Sequence, residues 1–205
     1  VIANLFFKKI PVVSHIHQAP KWQMSNNFKS RLFNCVAKHS SKIVYVSEWA
    51  RESYYFREAF NQSVVVENGI DFRGIQEMSN MFDTEPYDIL FVGRLEEVKD
   101  PDRFIDIVNE CIKKIPAIRV GIIGNGSLKK LISKKVSALP QIDYLGFKKN
   151  PYPYISNAKI VVSTSKEDAF GLTVVEAAIL KAIPITPEIR GIGDIAHKVN
   201  GLTLD

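Results

Sequence analysis

Short apolar runs alternate with longer stretches in which apolar residues recur every three or four positions, along nearly the whole chain. Such alternation predicts a parallel sheet with covering helices, because buried parallel strands read as continuous apolar runs and their helices as one-sided ones. In the first part, Pro11 to Val13, Ile43 to Val46 and Val64 to Val66 read as strands. Phe28, Leu32, Cys35, Val36 and His39 mark one face of a helix between the first two. A second helix is expected from Glu48 to Phe60, capped by Ser47. Residues 74 to 87 are polar with no sustained period, which reads as a linker ending at Pro86.

Beyond that point the rhythm tightens. Strands are expected at Ile89 to Val92, Ile118 to Ile123, Ile142 to Leu145, Ile160 to Ser163 and, last, Ile183 to Thr186. Asp100 followed by Pro101 opens a helix through Phe104, Ile105, Val108 and Ile112, with Asp at the cap and Pro at the first position. Ser127 is expected to cap a helix through Leu131 and Val136. Short and longer helices follow at Pro153 to Asn157 and Leu172 to Leu180.

Composition changes this picture little. The chain has 205 residues, 46% hydrophobic and 24% charged, which is ordinary globular material and argues against extended disorder. No apolar run approaches the roughly 20 residues of a bilayer span, and Val1 to Ile10 carries Asn4, Lys8 and Lys9, so neither a spanning helix nor a signal peptide is read there. A cytosolic protein is expected. Cys35 and Cys111 each sit in an apolar helical pattern and read as reduced core residues. The net charge of +5 is concentrated early, since residues 1 to 80 carry ten Lys/Arg against six Asp/Glu. These charges are interleaved with acids, so they read as a solvated face or a site for an anionic surface. The aromatics do not alternate with Lys and Arg as a base-stacking platform would, so nucleic acid is not expected.

In an open parallel sheet, ligands bind beyond the carboxyl ends of the strands. After the strand at 89 to 92 come Gly93, Arg94 and Leu95, with Lys99 beside a helix start. Two cations and exposed helix N–H groups suit a diphosphate, although surface charges would look the same. After the next strand, Gly124-Asn125-Gly126-Ser127 would let a ligand approach the backbone or would simply end the strand. After the strand at 160 to 163, the run from Ser163 to Leu172 leads to Gly171 and Leu172 at a helix start, with Glu176 one turn in. That acid could chelate the paired hydroxyls of a ribose, or merely face solvent.

Other patterns weigh less. Asp100-Pro101-Asp102 spells a D-x-D that could hold a metal, but capping and the helix dipole ask for the same residues. The sequons at Asn61 and Asn125 have no export signal to give them meaning. Ser14 lacks the Gly-x-Ser-x-Gly setting of a nucleophile. His15 and His17 lie at a strand end with period-two spacing.

Taken in order, His17, Asn68-Gly69-Ile70-Asp71, Gly93-Arg94-Leu95 with Lys99, Gly124-Asn125-Gly126, and Ser165 through Phe170-Gly171-Leu172 to Glu176-Ala177 resemble the retaining glycosyltransferases of the GT-B fold. The specific likeness is to the family called glycosyl transferases group 1, or glycosyltransferase family 4. The resemblance implies an α/β protein of two Rossmann-like parallel-sheet domains. Residues 1–74 would be the C-terminal part of an acceptor-side N-terminal domain, 75–87 a linker, and 88–205 a truncated nucleotide-sugar donor domain. Because two such domains need about 350 residues against roughly 100 to 200 for one, the chain is expected to be a fragment that exposes apolar sheet surface in its first 70 residues.

The resemblance also implies roles. Arg94 and Lys99 would hold the donor diphosphate and neutralise the leaving group, and Glu176 would chelate the ribose. Gly171 and Leu172 would offer backbone N–H groups to phosphate, with Gly124 and Gly126 also on the donor side. Asp168 to Phe170 would touch the donor sugar, and His17, rather than His15, would line the acceptor side. Transfer of a hexose from a UDP-, GDP- or ADP-sugar to a glycan or lipid-linked acceptor would retain configuration. The leaving phosphate would take the acceptor's proton on the same face, so no dedicated protein base is expected; the resemblance also implies neither metal nor cofactor. Surface polysaccharide or lipopolysaccharide synthesis, with peripheral contact at the inner membrane face, would be the setting. A nucleotide-sugar-binding protein without transfer, or a sugar synthase or phosphorylase of this fold, shares these features. Two positions depart from the family pattern: Asp168 stands where Glu is usual, and Asp100 stands where Gly often follows the Lys.

Overall fold

Parallel pairing organises both parts of the chain. The structure, a computed structural model, describes residues 11–18, 21–55 and 63–204. The chain divides into two compact units, Val1–Gly69 with Glu167–Phe170, and Ile70–Lys166 with Gly171–Asp205.

In the first unit, β1 (Val13–Ile16), β2 (Lys42–Tyr45) and β3 (Ser63–Val65) form a parallel sheet in that order. Helix α1 (Phe28–Lys38) joins the first two strands, and α2 (Glu48–Glu52) follows β2. Ser47 caps α2 as expected, its hydroxyl accepting the Ala50 N–H at 3.1 Å. The helix is shorter than the expected Glu48 to Phe60, and 56–60 lie outside the described residues, as do Val1 to Ile10.

The apolar stripe assigned to α1 faces the wrong way for a core. Phe28 is 80% exposed, Leu32 57% exposed, and Cys35 and His39 are exposed, while Ser30, Asn34 and Ala37 are buried. Cys35 is therefore a surface thiol and not the core residue expected, because the helix turns its small and polar face inward. Cys111 is half-buried against a core cluster. Val13 and Val64 are also exposed on β1 and β3.

The second unit is fuller. Six parallel strands run in the order β6-β5-β4-β7-β8-β9: β4 (Tyr87–Val92), β5 (Val120–Ile123), β6 (Ile142–Gly146), β7 (Ala158–Val162), β8 (Ile183–Pro187) and β9 (Leu202–Leu204). Helices α3 (Phe72–Ser79), α4 (Pro101–Lys114), α5 (Lys129–Val136), α6 (Tyr152–Ser156), α7 (Leu172–Ile179) and α8 (Ile192–Lys198) accompany them. One core cluster centres on Phe91, Leu95, Phe104, Val108, Ile122 and Ile132, and another on Leu90, Ile155, Val161 and Ala177.

Three differences from the sequence reading stand out here. The segment 75–87 read as a linker begins inside α3, whose start is set by Asp71, which accepts the Gly74 N–H at 3.0 Å. Ser127 does not cap α5, whose N-cap is Leu128 with no side-chain bond. The chain does not stop at β8 but continues through α8 and β9, elements too short to leave a period. Among the described residues, no helix is long and apolar enough to cross a membrane.

Candidate functional site

The strand order reverses between β4 and β7. From β4 the chain steps outward to β5 and β6, then returns to place β7 on the other flank of β4 and continues to β8 and β9. Loops leaving the carboxyl ends of β4 and β7 therefore part to opposite sides, which opens the crevice where such sheets hold ligands. Arg94 and Lys99 leave β4, and the run from Ser163 to Gly171 leaves β7, so tertiary structure puts these two sequence candidates side by side.

The two loops are tied together. Leu95, fully buried, anchors the turn that carries exposed Arg94. The hydroxyl of buried Thr164 donates to the Lys99 carbonyl (3.0 Å) and the Asp100 carbonyl (2.8 Å), and the Lys166 N–H donates to the Val98 carbonyl at 2.9 Å. The backbone from which Lys99 projects is thus held by the β7 loop.

Asp100 explains its own departure from the family pattern. It sits at φ 46°, ψ 55°, a left-handed conformation that glycine adopts without cost and that Asp tolerates better than most residues. Its carboxylate accepts the Arg103 N–H at 3.4 Å and pairs with Lys166 at 3.1 Å. Asp102 pairs with Lys135. Both acids of the D-x-D are engaged in holding α4, and among the described residues no group of three or more His, Cys, Asp or Glu is placed to bind a metal ion.

The glycine turn after β5 is a close-packing device. A Cβ on Gly124 would lie 1.9 Å from the Gly93 carbonyl oxygen, and one on Gly126 would lie 2.4 Å from that of Leu95. The Gly124 N–H already donates to the Gly146 carbonyl at 3.0 Å, and the Tyr144 hydroxyl donates to the Gly124 carbonyl. Glu96, which sequence reasoning passed over, closes the turn: its carboxylate accepts the Ser127 N–H (2.9 Å) and hydroxyl (2.6 Å). These bonds hold the Glu96 carboxyl below its usual range. Ser127, expected as a helix cap, serves Glu96 instead.

Gly171 opens α7 at φ 78°, and a Cβ there would lie 2.6 Å from Ile192. The first N–H groups of α7 have no acceptor within the helix, which leaves its start suited to an anion. Leu172 is largely exposed at that start. One turn on, Glu176 accepts a hydrogen bond from the Tyr152 hydroxyl at 3.2 Å. Burial pushes its carboxyl above the usual value of 4.5, and the Tyr152 bond partly offsets this. Tyr152 had no sequence signal beyond being an aromatic between two prolines.

The remaining candidates lie in the first unit. Asp168 accepts the Phe170 N–H at 3.2 Å, a local turn that pulls its carboxylate toward its own loop, and the Phe170 ring is buried. His17 follows β1, with its ring nitrogen 3.1 Å from that of His15, and both rings are exposed. Ser14 is bonded to Ser40.

The chain is 24% identical over 147 residues to an uncharacterized glycosyltransferase of Methanocaldococcus jannaschii, covering 66% of this chain and 36% of that one. It is 29% identical over 123 residues to the poly(ribitol-phosphate) alpha-N-acetylglucosaminyltransferase of Staphylococcus aureus, covering 58% of this chain and 25% of that one. The chain therefore spans about a third or less of these curated relatives. The crystal structure of Anabaena HepE in complex with UDP and glucose superposes with a TM-score of 0.80 at 19% identity, over 99% of this chain and 60% of that one. The α/β fold is that of the GT-B glycosyltransferases. The model of the glycosyl transferases group 1 family matches residues 73–205, which span the switch point, both of its loops and α7; the chain belongs to that family.

Proposed function

We propose that this chain carries the donor half of a metal-independent, retaining hexosyltransferase that moves a sugar from a nucleotide-sugar to a glycan or lipid-linked acceptor. The observation that carries the reading is the placement of Arg94 and Lys99 on one flank of the switch point and of Gly171, Leu172 and Glu176 on the other, with Thr164 tying the loops. Family membership and the nature of the relatives support it.

In this reading, Arg94 presents a planar fork and Lys99 a point charge to the diphosphate, and the first N–H groups of α7 complete its cradle. Their positive charge matters most as the glycosidic bond breaks and charge builds on the leaving phosphate. Glu176 accepts the two ribose hydroxyls. Asp168 and the Phe170 backbone meet the donor sugar, and His17 serves the acceptor side. Gly124 and Gly126 act on the donor side by letting the β4 and β5 turns approach closely. The departing phosphate oxygen takes the acceptor's proton on the same face, so no side chain needs to act as base. The UDP bound in the HepE crystal structure supports UDP as the donor nucleotide, and in this reading the product is a surface polysaccharide or lipopolysaccharide precursor made at the inner face of a membrane.

Saturation-transfer NMR with UDP-, GDP- and ADP-sugars should give a signal for one of them, and both Arg94→Ala and Glu176→Ala should remove it. No signal from any donor, or binding unchanged in both variants, would refute the donor site. Donor hydrolysis or transfer to a lipid-linked acceptor then distinguishes an enzyme from a protein that only binds.

A further inference from the structure

We infer that Tyr152 is a positioning residue for the donor's ribose, acting through Glu176; this rests on the donor-site reading above. A ribose-binding carboxylate must be ionised and must keep lone pairs turned toward two hydroxyls. Glu176 is poorly placed to do either alone, since it lies one turn into α7, partly buried beside a core cluster that includes Ala177. Burial disfavours its charge, and a flexible acid would rotate among several partners.

Tyr152 answers both needs. Its hydroxyl donates to Glu176 Oε1 at 3.2 Å, using one of the roughly four lone-pair positions of the carboxylate and leaving Oε2 and the rest of Oε1 for ligand hydroxyls. A donor in a partly buried place favours the charged form of the acid it meets. Tyr152 is itself held firmly. It lies between Pro151 and Pro153, whose rings restrict the backbone, and its N–H donates to Asn150 Oδ1 at 3.2 Å. Asn150 in turn donates to the Met78 carbonyl at 2.8 Å, anchoring this corner to α3. The ring packs against the cluster that holds Leu90, Ile155 and Ala177, so the hydroxyl reaches Glu176 from a fixed base.

The test uses the full 205-residue chain with UDP, GDP and ADP, each beside its 2′,3′-dideoxy counterpart, and reads affinity by titration calorimetry. For the nucleotide that binds, Tyr152→Phe should weaken the ribonucleotide about tenfold, the scale of a hydrogen bond to a charged group. It should leave the dideoxy form, which offers Glu176 no ribose hydroxyl, nearly unchanged, so the discrimination between the two collapses. The unchanged dideoxy affinity also reports that the variant is folded. If Tyr152→Phe weakens both forms equally, or neither, while Glu176→Gln abolishes discrimination, the positioning role is overturned and the donor site stands. If Glu176→Gln leaves discrimination intact, or no nucleotide binds the unaltered chain, the donor-site reading falls and Tyr152 falls with it.

Discussion

In the six-stranded sheet β5 is buried at all four positions, whereas β1 of the three-stranded sheet alternates exposed with half-buried residues. Helices differ in the same sense. Helix α4 buries Phe104, Ile105 and Val108, its apolar stripe, while α1 buries Ser30, Asn34 and Ala37 and leaves Phe28 and Leu32 in solvent. Among the described residues, buried side-chain polar atoms without a hydrogen-bond partner, such as Gln23 Nε2, Asn34 Oδ1 and the Tyr45 hydroxyl, fall in the first unit and none in the second. The contrast shows how far binary patterning depends on having a partner layer. Where strands flank both sides of β4, the apolar runs of the central strands are covered, although Ile183, Leu202 and Leu204 at the β8–β9 edge stay exposed; where the described sheet has three strands, the same kind of pattern is left facing outward.

The comparison can be broken most sharply at its two phenylalanines. Phe104→Ala should cost about 3–5 kcal/mol in urea denaturation, as a fully buried aromatic leaves a cavity. A cost near zero would mean the second unit is less tightly packed than its burial implies. Glycines give the next contrast. Gly124→Ala forces a Cβ against a backbone carbonyl and should destabilise by about 3 kcal/mol, whereas Gly69→Ala, with nothing within 4 Å, should change stability by less than about 0.5 kcal/mol. Equal effects would undo the packing account of the glycine turn.

Glu176 sharpens the comparison within the second unit, because a carboxylate proposed for ligand binding is buried at a cost to stability. Its folded pKa is raised above 4.5 by burial, so the folded state holds this proton more tightly than the unfolded chain. Its contribution to stability is therefore greatest below about 4.5 and falls as pH rises through the raised value. Glu176→Gln should then be more stable than the parent at neutral pH and lose that advantage in acid, measured by melting temperature against pH. A variant less stable at pH 7 would contradict the burial cost. Smaller still, Lys166→Met should cost under about 1 kcal/mol, since the lysine of its pair with Asp100 is 55% exposed, and the loss should shrink with added salt. Phe28→Ser closes the series at under about 0.5 kcal/mol by thermal melting; a loss comparable to that of Phe104→Ala would show that α1 is buried in solution.

Much of the candidate site was legible because ligand-binding loops in parallel sheets follow strand ends, and strand ends are local features. Arg94, Lys99, Gly171 and Glu176 could each be named from the residues after an apolar run. Their helpers could not. Glu96 meets Ser127 and Thr164 meets Lys99 across 31 and 65 residues, and Tyr152 meets Glu176 across 24. A single hydrogen bond between distant segments leaves no period. The short α8 and β9 were missed because a few residues carry too little pattern, and α1 was misjudged because periodicity marks a stripe without saying what covers it.

From the sequence alone came the alternation of strands and helices, the Ser47 and Asp100 caps, and the family likeness of ordered motifs. These depend on backbone geometry within a few residues, which repeats with the period of each element. Only the tertiary structure decided that β7 lies beside β4 and that the glycine turn is packed shut by Gly93 and Glu96. It also decided that Glu176 has a tyrosine at its side and that α1 turns its apolar stripe outward. Those outcomes depend on which segments meet, and contact between distant segments is governed by the packing of the whole sheet.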